Sequence, residues 1–189
     1  MSKGEKMNVD IDITGKVFKT ERLILREWRE SDLEDFFYYA RVPEVGNSAG
    51  WPPHKTIDDS KIILDRFMNN KHTFCLEYNG KAIGSLGIQE YDEEVLKELD
   101  NLKAREIGYA MSKDFWGMGL MPEAVNRVID YLFNDIKLDV IVCSHNEINY
   151  RSRRVQEKCG FKNFKKVLKD DNSIKWINLL YKENKKCTQ

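Results

Sequence analysis

The sequence predicts an α/β domain built on a mixed sheet, with helices on its flanks and hairpins near its start and its end. Three stretches predict it. Thr73–Tyr78 and Lys81–Ile88 are strand-like runs joined by Asn79-Gly80, a dipeptide suited to a two-residue hairpin turn because both positions take positive φ. Arg105–Met111 reads as a strand, followed by a loop with Gly117 and Gly119 and then a helix. Leu138–Cys143 is a further strand, and a helix from Asn149 to Lys158 follows it. Hairpins combined with strand-to-helix units argue for a mixed sheet and against a uniform parallel one.

Taken in order, residues 1–17 are a polar arm with weak alternation at Val9, Ile11 and Ile13, either a loose segment or an added edge strand. Arg22–Trp28 alternates as a strand. Ser31 with Glu34 three residues later is a capping box for a first helix that buries Leu33, Phe36, Phe37 and Ala40. Residues 42–55 hold three prolines, two glycines and Trp51, and read as an exposed loop. There Trp51 is a packing anchor and His54 a solvated residue, with a part in substrate choice as the alternative for both. Thr56 and Asp59 cap a second helix whose Ile63, Leu64, Phe67 and Met68 share a face.

Gly84 and Gly87 inside the second hairpin strand point to a bulge or to a close approach to the backbone. Asp92–Lys103 interrupts the sheet, and its Val95, Leu96, Leu99 and Leu102 fit a short amphipathic helix, a surface insert with a lid as the alternative. Gly160 suits the left-handed position that ends the 149–158 helix. The tail runs as a strand from Phe161 to Leu168, turns at Asp170-Asp171-Asn172-Ser173, and returns as Ile174–Tyr181.

Length and charge bound the function. The 189 residues suit one domain with a sizeable core, and 31 basic against 31 acidic side chains give no global charge to attract nucleic acid or an anionic membrane. The first 20 residues lack the apolar core of a secretion signal, and no apolar run is long enough to cross a bilayer. Cys75, Cys143, Cys159 and Cys187 are scattered without a Cys-x-x-Cys pair, which suits reduced thiols and a cytoplasmic protein. Cys143-Ser144-His145 lacks a second ligand pair, so no metal is expected.

The stretch Trp116-Gly117-Met118-Gly119-Leu120-Met121-Pro122-Glu123-Ala124 carries the strongest chemical signal. Pro122 suits the first helical turn, Glu123 complements the positive helix end, and Val125, Val128, Ile129, Leu132 and Phe133 form one apolar face. Unpaired N–H groups at a helix start, with glycines that let a bulky group approach, make an anion site. A plain tight turn is the alternative on these residues alone. A dinucleotide fold is rejected, because its third glycine position is here Pro122.

Two motifs resemble the GNAT N-acetyltransferases. Residues 116–124 resemble that family's pyrophosphate loop, and Asn149-Tyr150-Arg151-Ser152 with Glu157-Lys158-Cys159-Gly160-Phe161 resembles its second signature. Thr20-Glu21-Arg22-Leu23-Ile24-Leu25-Arg26 and Glu106-Ile107-Gly108-Tyr109 are similar to the branch of ribosomal-protein N-terminal acetyltransferases, the RimJ/RimL type. The resemblance covers about residues 18 to 182, leaving the arm before it and a tail, 183–189, after it. It implies a mostly antiparallel sheet that splays at its central parallel strands, with acetyl-CoA as cosubstrate. It also implies pantetheine contacts at Tyr109, Ala110, Met111 and Asn149, and a pyrophosphate held by the amides of Trp116, Gly117, Met118, Gly119, Leu120 and Met121. Ser152 would lie near the thioester sulfur. Helix capping is the structural alternative for Asn149 and Ser152.

Acetyl transfer to an amine needs the uncharged amine, so a carboxylate has to take up a proton, directly or through water. Glu106 is the first candidate base, with pairing to a neighbour such as Arg105 as its alternative; Asp171 is the second candidate. Where many relatives place a tyrosine as general acid, this chain has Gln156, a poor proton donor; Ser152 or an ordered water would substitute, or the step needs no dedicated acid. No cysteine lies on either signature in a position for an acyl-enzyme, so direct transfer in a ternary complex is expected. The acceptor is a protein N-terminus or a small amine. The alternative class is a non-catalytic acyl-CoA-binding domain. The sequence leaves oligomeric state open, a homodimer included.

Overall fold

The computed structural model describes residues 7–169 and 171–185; the first six residues of the arm, Asp170, and the end of the tail with Cys187 lie outside the described residues. Its strands are β1 (Phe18–Lys19), β2 (Ile24–Arg26), β3 (Thr73–Tyr78), β4 (Lys81–Gln89), β5 (Ala104–Met111), β6 (Val140–Asn146), β7 (Lys162–Leu168) and β8 (Ile174–Tyr181). They form a mixed sheet in the order β1-β2-β3-β4-β5-β6-β8-β7. The helices are α1 (Leu33–Ala40), α2 (Pro43–Ala49), α3 (Ile57–Asn70), α4 (Leu120–Asn134), α5 (Tyr150–Lys158) and α6 (Lys182–Lys185). The mixed sheet flanked by helices is the architecture expected from sequence.

The chain divides into two compact units. One comprises Ile11–Gly87 and Tyr109–Arg127; the other comprises the residues up to Asp10, Ile88–Gly108, and those from Val128 onward. β5 and α4 each begin in one unit and end in the other.

In the first unit the β3–β4 hairpin turns at Asn79 (φ 49°) and Gly80 (φ 78°), as the dipeptide requires. Leu76 pairs with Gly84 and Glu77 with Ala82, so Ile83 is a bulge residue. The freed Ile83 carbonyl accepts the Ser112 N–H at 2.8 Å. A Cβ on Gly84 would stand 2.6 Å from the Ala110 oxygen, so the glycine serves both the bulge and the close approach.

Three expectations in this unit are corrected. The Ser31–Glu34 box does not form. Instead a 3-10 turn at Glu30–Asp32 leads into α1, and the Asp32 carboxylate accepts the Arg29 N–H at 2.8 Å and binds both terminal nitrogens of Arg26 at 2.8 Å. A buried bidentate ion pair outweighs a serine cap. The 42–55 loop contains α2, which Pro43 opens and Gly50 closes at φ 85°; prolines and glycines that look like loop residues here are the two ends of a short helix. His54 is half-buried, with Nδ1 2.7 Å from Ser60 Oγ, and burial lowers its pKa. Trp51 packs on the cluster of Trp28, Phe36, Tyr39, Leu64 and Cys75, the anchor role anticipated for it. The Thr56–Asp59 box caps α3 as predicted.

The second unit holds the parallel ladder, Ala104–Ile107 against Val140–Cys143, and antiparallel ladders of β8 with β6 and β7. Asn8 bridges to Ala104. The 92–103 segment is not an amphipathic helix: only Lys97–Leu99 makes a 3-10 turn, and the Asp92 side chain accepts the N–H groups of Glu94 and Val95 at 3.0 and 3.1 Å. Leu96 and Leu99 are nonetheless buried, packing with Tyr91, Val140, Val142 and Ile177, and Val95 and Leu102 lie partly buried against the same cluster. Lys165 ties it down by bonds to the Val95 carbonyl and to Glu98, both 2.8 Å. Local aspartate turn chemistry took precedence over periodicity, and the insert is anchored to the core of this unit.

Candidate active site

The glycine-bearing loop lies in the first unit, between a 3-10 turn at Lys113–Phe115 and α4. Gly117 and Gly119 both adopt positive φ, 82° and 78°. No atom lies within 4 Å of a Cβ built on Gly117. The conformation, and not crowding, requires glycine there. Among the described residues, the N–H groups of Gly117, Met118, Gly119, Leu120 and Met121 donate to no protein acceptor; the next one along with a proton, Glu123 N–H, turns back to the Gly119 carbonyl at 3.3 Å. The Trp116 N–H is already engaged by the Lys113 carbonyl at 3.1 Å, so the run of open amides begins at Gly117. The Trp116 indole donates to the Met111 carbonyl at 2.9 Å and packs on the core, which fixes the loop to the end of β5. Leu120 and Met121 bury their side chains, so at these two positions the loop presents backbone, whereas the Met118 side chain is exposed.

A charged bracket holds this loop, and the sequence reading missed it. Glu123, in the first turn of α4, accepts from the Thr20 hydroxyl, from Arg22 N–H at 2.8 Å, and from Arg22 Nε at 2.8 Å. A second terminal guanidinium nitrogen reaches the Met118 carbonyl at 2.9 Å. Burial alone would raise the Glu123 pKa, but the bonds from Thr20 and Arg22 bring it below the usual carboxylate value. The partners lie about 100 residues apart in sequence, a separation no local motif reports.

The other predicted site residues, apart from Tyr109, Ala110 and Met111 at the end of β5, lie in the second unit. The parallel ladder ends at Ile107 and Cys143, although β5 continues to Met111 and β6 to Asn146. Glu106 is opposite Val142 in that ladder, and its carboxylate pairs with Lys175 Nζ at 3.5 Å. Arg105, named as its alternative partner, is buried and turned instead to the Val9 carbonyl, Asp10 and Glu90. Asp171 is a turn residue: it accepts the Ser173 N–H at 2.9 Å, and bonding to Ser173 lowers its pKa.

Asn149 caps α5, its side-chain oxygen accepting the Ser152 N–H at 3.0 Å. One turn on, Gln156 is buried at the centre of a neutral network. Its Nε2 donates to the Ser144 carbonyl at 3.2 Å and to Ser152 Oγ at 3.1 Å. Its Oε1 faces His145 Nδ1 at 3.1 Å and the amide nitrogen of Asn178. The same His145 Nδ1 lies 3.1 Å from the Asn178 amide nitrogen, so His145, Gln156 and Asn178 meet in one three-way contact. Burial lowers the His145 pKa, which favours the neutral ring. Cys143 and Cys159 are both buried, and no cluster of three or more His, Cys, Asp or Glu side chains able to hold a metal exists among the described residues.

The acetyltransferase (GNAT) domain model matches residues 22–162. The chain belongs to the GNAT acetyltransferase family. An N-acetyltransferase of Bacillus licheniformis, p20, otherwise uncharacterised, is 26% identical over 149 residues, covering 75% of this chain and 80% of that protein. A GNAT-family acetyltransferase of Bacillus anthracis has the same fold, with a TM-score of 0.78 at 21% identity over 89% of this chain and 99% of that one. AAC(6')-Ib, solved with ribostamycin and coenzyme A, matches at a TM-score of 0.71 and 21% identity, covering 89% and 98% of the two chains. This GNAT enzyme is thus an acetyltransferase acting on amines, and among its described residues no helix is long and apolar enough to cross a membrane.

Proposed function

We propose that this enzyme transfers an acetyl group from acetyl-CoA to a primary amine directly, in a ternary complex. The open amides of Gly117–Met121 carry the reading: five consecutive backbone donors, shaped by two positive-φ glycines at the start of a 15-residue helix, suit a pyrophosphate. The AAC(6')-Ib structure, whose bound ligands include coenzyme A, supports the choice of anion. Tyr109, Ala110 and Met111 on β5, and Asn149 at the α5 start, receive the pantetheine arm by the family pattern. Glu106 acts as the base, in hydrogen-bond reach of the amine or of one water, and Ser152 stands at the sulfur end. The acceptor is a small amine or a protein N-terminus; the resemblance of the Thr20–Arg26 and Glu106–Tyr109 runs to the RimJ/RimL branch favours the N-terminus. An α-amino group, with a pKa of about 7.7–8.0, is also the amine most readily available uncharged at neutral pH.

The test is titration calorimetry with acetyl-CoA on the wild type and on Gly119→Glu, followed by free-thiol release across a panel of amines and peptide N-termini. Binding is expected for the wild type and none for the variant, whose carboxylate would meet the phosphates. Equal affinity in a folded Gly119→Glu would remove the loop from the site.

A further inference from the structure

Of the groups that the proposed chemistry does not use, the Thr20–Arg22–Glu123 bracket is the one whose geometry bears on a ligand. The salt bridge between Arg22 and Glu123 is 2.7 Å at its shortest, and Arg22 is the more exposed partner, at 37%. An exposed pair of this kind contributes little to stability. This guanidinium does more than pair, however, because one nitrogen is diverted to a loop carbonyl, Met118 O, at 2.9 Å. In a trans peptide the C=O and the following N–H point in opposite directions. Fixing the Met118 carbonyl on the Arg22 side therefore fixes the Gly119 N–H on the other side. A Cβ on Gly119 would come within 3.6 Å of the guanidinium, so the arginine lies directly against that residue.

We propose that Arg22 is the positioning residue of the anion loop: it sets the Met118–Gly119 peptide so that its N–H faces the phosphate, and Glu123 and Thr20 hold Arg22 in place. Glu123 then has a second part. Alone, a carboxylate in the first turn of α4 would compete with a phosphate for the positive helix end. Paired with Arg22, it is neutralised and becomes the arginine's mount. The inference rests on the reading of residues 117–121 as a phosphate site.

The test is acetyl-CoA affinity by calorimetry for wild type, Arg22→Met, Arg22→Lys, Glu123→Gln and the double variant Arg22→Met/Glu123→Gln, each checked for folding by thermal melting. Arg22→Met is expected to weaken binding about tenfold, the scale of one charge-assisted hydrogen bond. Arg22→Lys, which keeps the charge but cannot fork to both the carboxylate and the carbonyl, should lose about threefold. The double variant should bind better than Arg22→Met, because the bare carboxylate is gone; a merely structural pair would make it equal or worse. Arg22→Met within twofold of wild type, or a double variant no better than Arg22→Met, overturns the inference. If Arg22→Met does not fold, Arg22→Lys decides, and affinity within measurement error of wild type overturns it. A wild type that does not bind acetyl-CoA, or a Gly119→Glu variant that binds as well, instead overturns the phosphate reading on which the inference rests.

Discussion

The loop before α4 and the turn before α5 both lead from a strand into a helix, and they are built by opposite means. The first exposes backbone N–H groups and surrounds them with charge: Arg22, Glu123 and the Met118 carbonyl. The second is neutral and closed, with Asn149 capping its own helix and Gln156 satisfied by Ser144, Ser152, His145 and Asn178. An entrance whose donors are left open keeps hydrogen-bonding capacity for an anion, which is the basis of the proposed phosphate site. One whose central amide, Gln156, is held by its neighbours serves to fix a side chain such as Ser152. The difference can be measured, since damage to the first should appear in binding and damage to the second in folding.

Gly117→Val is the most severe way to break the contrast. A β-branched residue at a φ of 82° is strained, although the space around its Cβ is open. Acetyl-CoA affinity is expected to fall by a factor on the order of 100 or more, with only about 1–2 kcal/mol lost from stability. Calorimetry together with a denaturant titration checks both. A stable variant with unchanged affinity would show that the open amides are not the site.

The contrast also explains what was legible in the sequence. Backbone geometry is encoded locally: Gly117 and Gly119, the Asn79-Gly80 turn, the Gly84 bulge and the Gly160 stop each require a residue type at one position, so each can be read. The apolar stripe of α4 likewise follows from its own spacing, and Val125, Val128, Ile129, Leu132 and Phe133 are all buried. Side-chain partnerships were not legible where they join distant segments. Arg22 meets Glu123 across 101 residues, Gln156 meets Asn178 across 22, and Asp32 prefers Arg26 to its own helix. The α2 and 92–103 misreadings have a related cause: a proline or an aspartate marks the start of a helix and of a turn alike, and the choice is made by packing.

Glu106→Gln sharpens the comparison from the chemical side. If Glu106 is the base, turnover should fall about a hundredfold while acetyl-CoA affinity is unchanged, and the acidic limb of the pH–rate profile should disappear. Full activity at every pH would leave Glu106 as no more than the partner of Lys175, 3.5 Å away.

Gln156→Leu tests the closed entrance. It takes away the amide that donates to the Ser144 carbonyl and Ser152 Oγ and that faces His145 Nδ1 and the Asn178 amide nitrogen in a buried setting. Stability is expected to drop by about 2 kcal/mol, read as a lower midpoint of denaturant unfolding. Loss of acetyl-CoA binding with unchanged stability would instead mean that the Gln156 network serves the proposed contacts of Asn149 and Ser152 with the cosubstrate rather than the fold.

The smallest effect is a pH dependence, and it separates the two units. Burial lowers the His145 pKa, opposed in part by its bond to Gln156, with Arg153 lowering it and Glu157 raising it. Burial likewise lowers the pKa of His54, with Asp59 opposing. In the unfolded chain each histidine takes up a proton near pH 6.5, whereas in the folded protein it does so only at lower pH. Between those two values the unfolded state binds more protons, so stability falls as the pH falls through this window, and neither residue contributes to pH dependence above it. Each can add at most about 1.4 kcal/mol per pH unit. Thermal melts of His145→Asn and His54→Asn between pH 7.5 and 5, on the order of the window set by the free imidazole, assign the slope to one unit or the other. A flatter curve for His145→Asn is the result expected if the buried network selects the neutral imidazole; an undiminished slope in that variant would mean that the network holds the charged ring as readily.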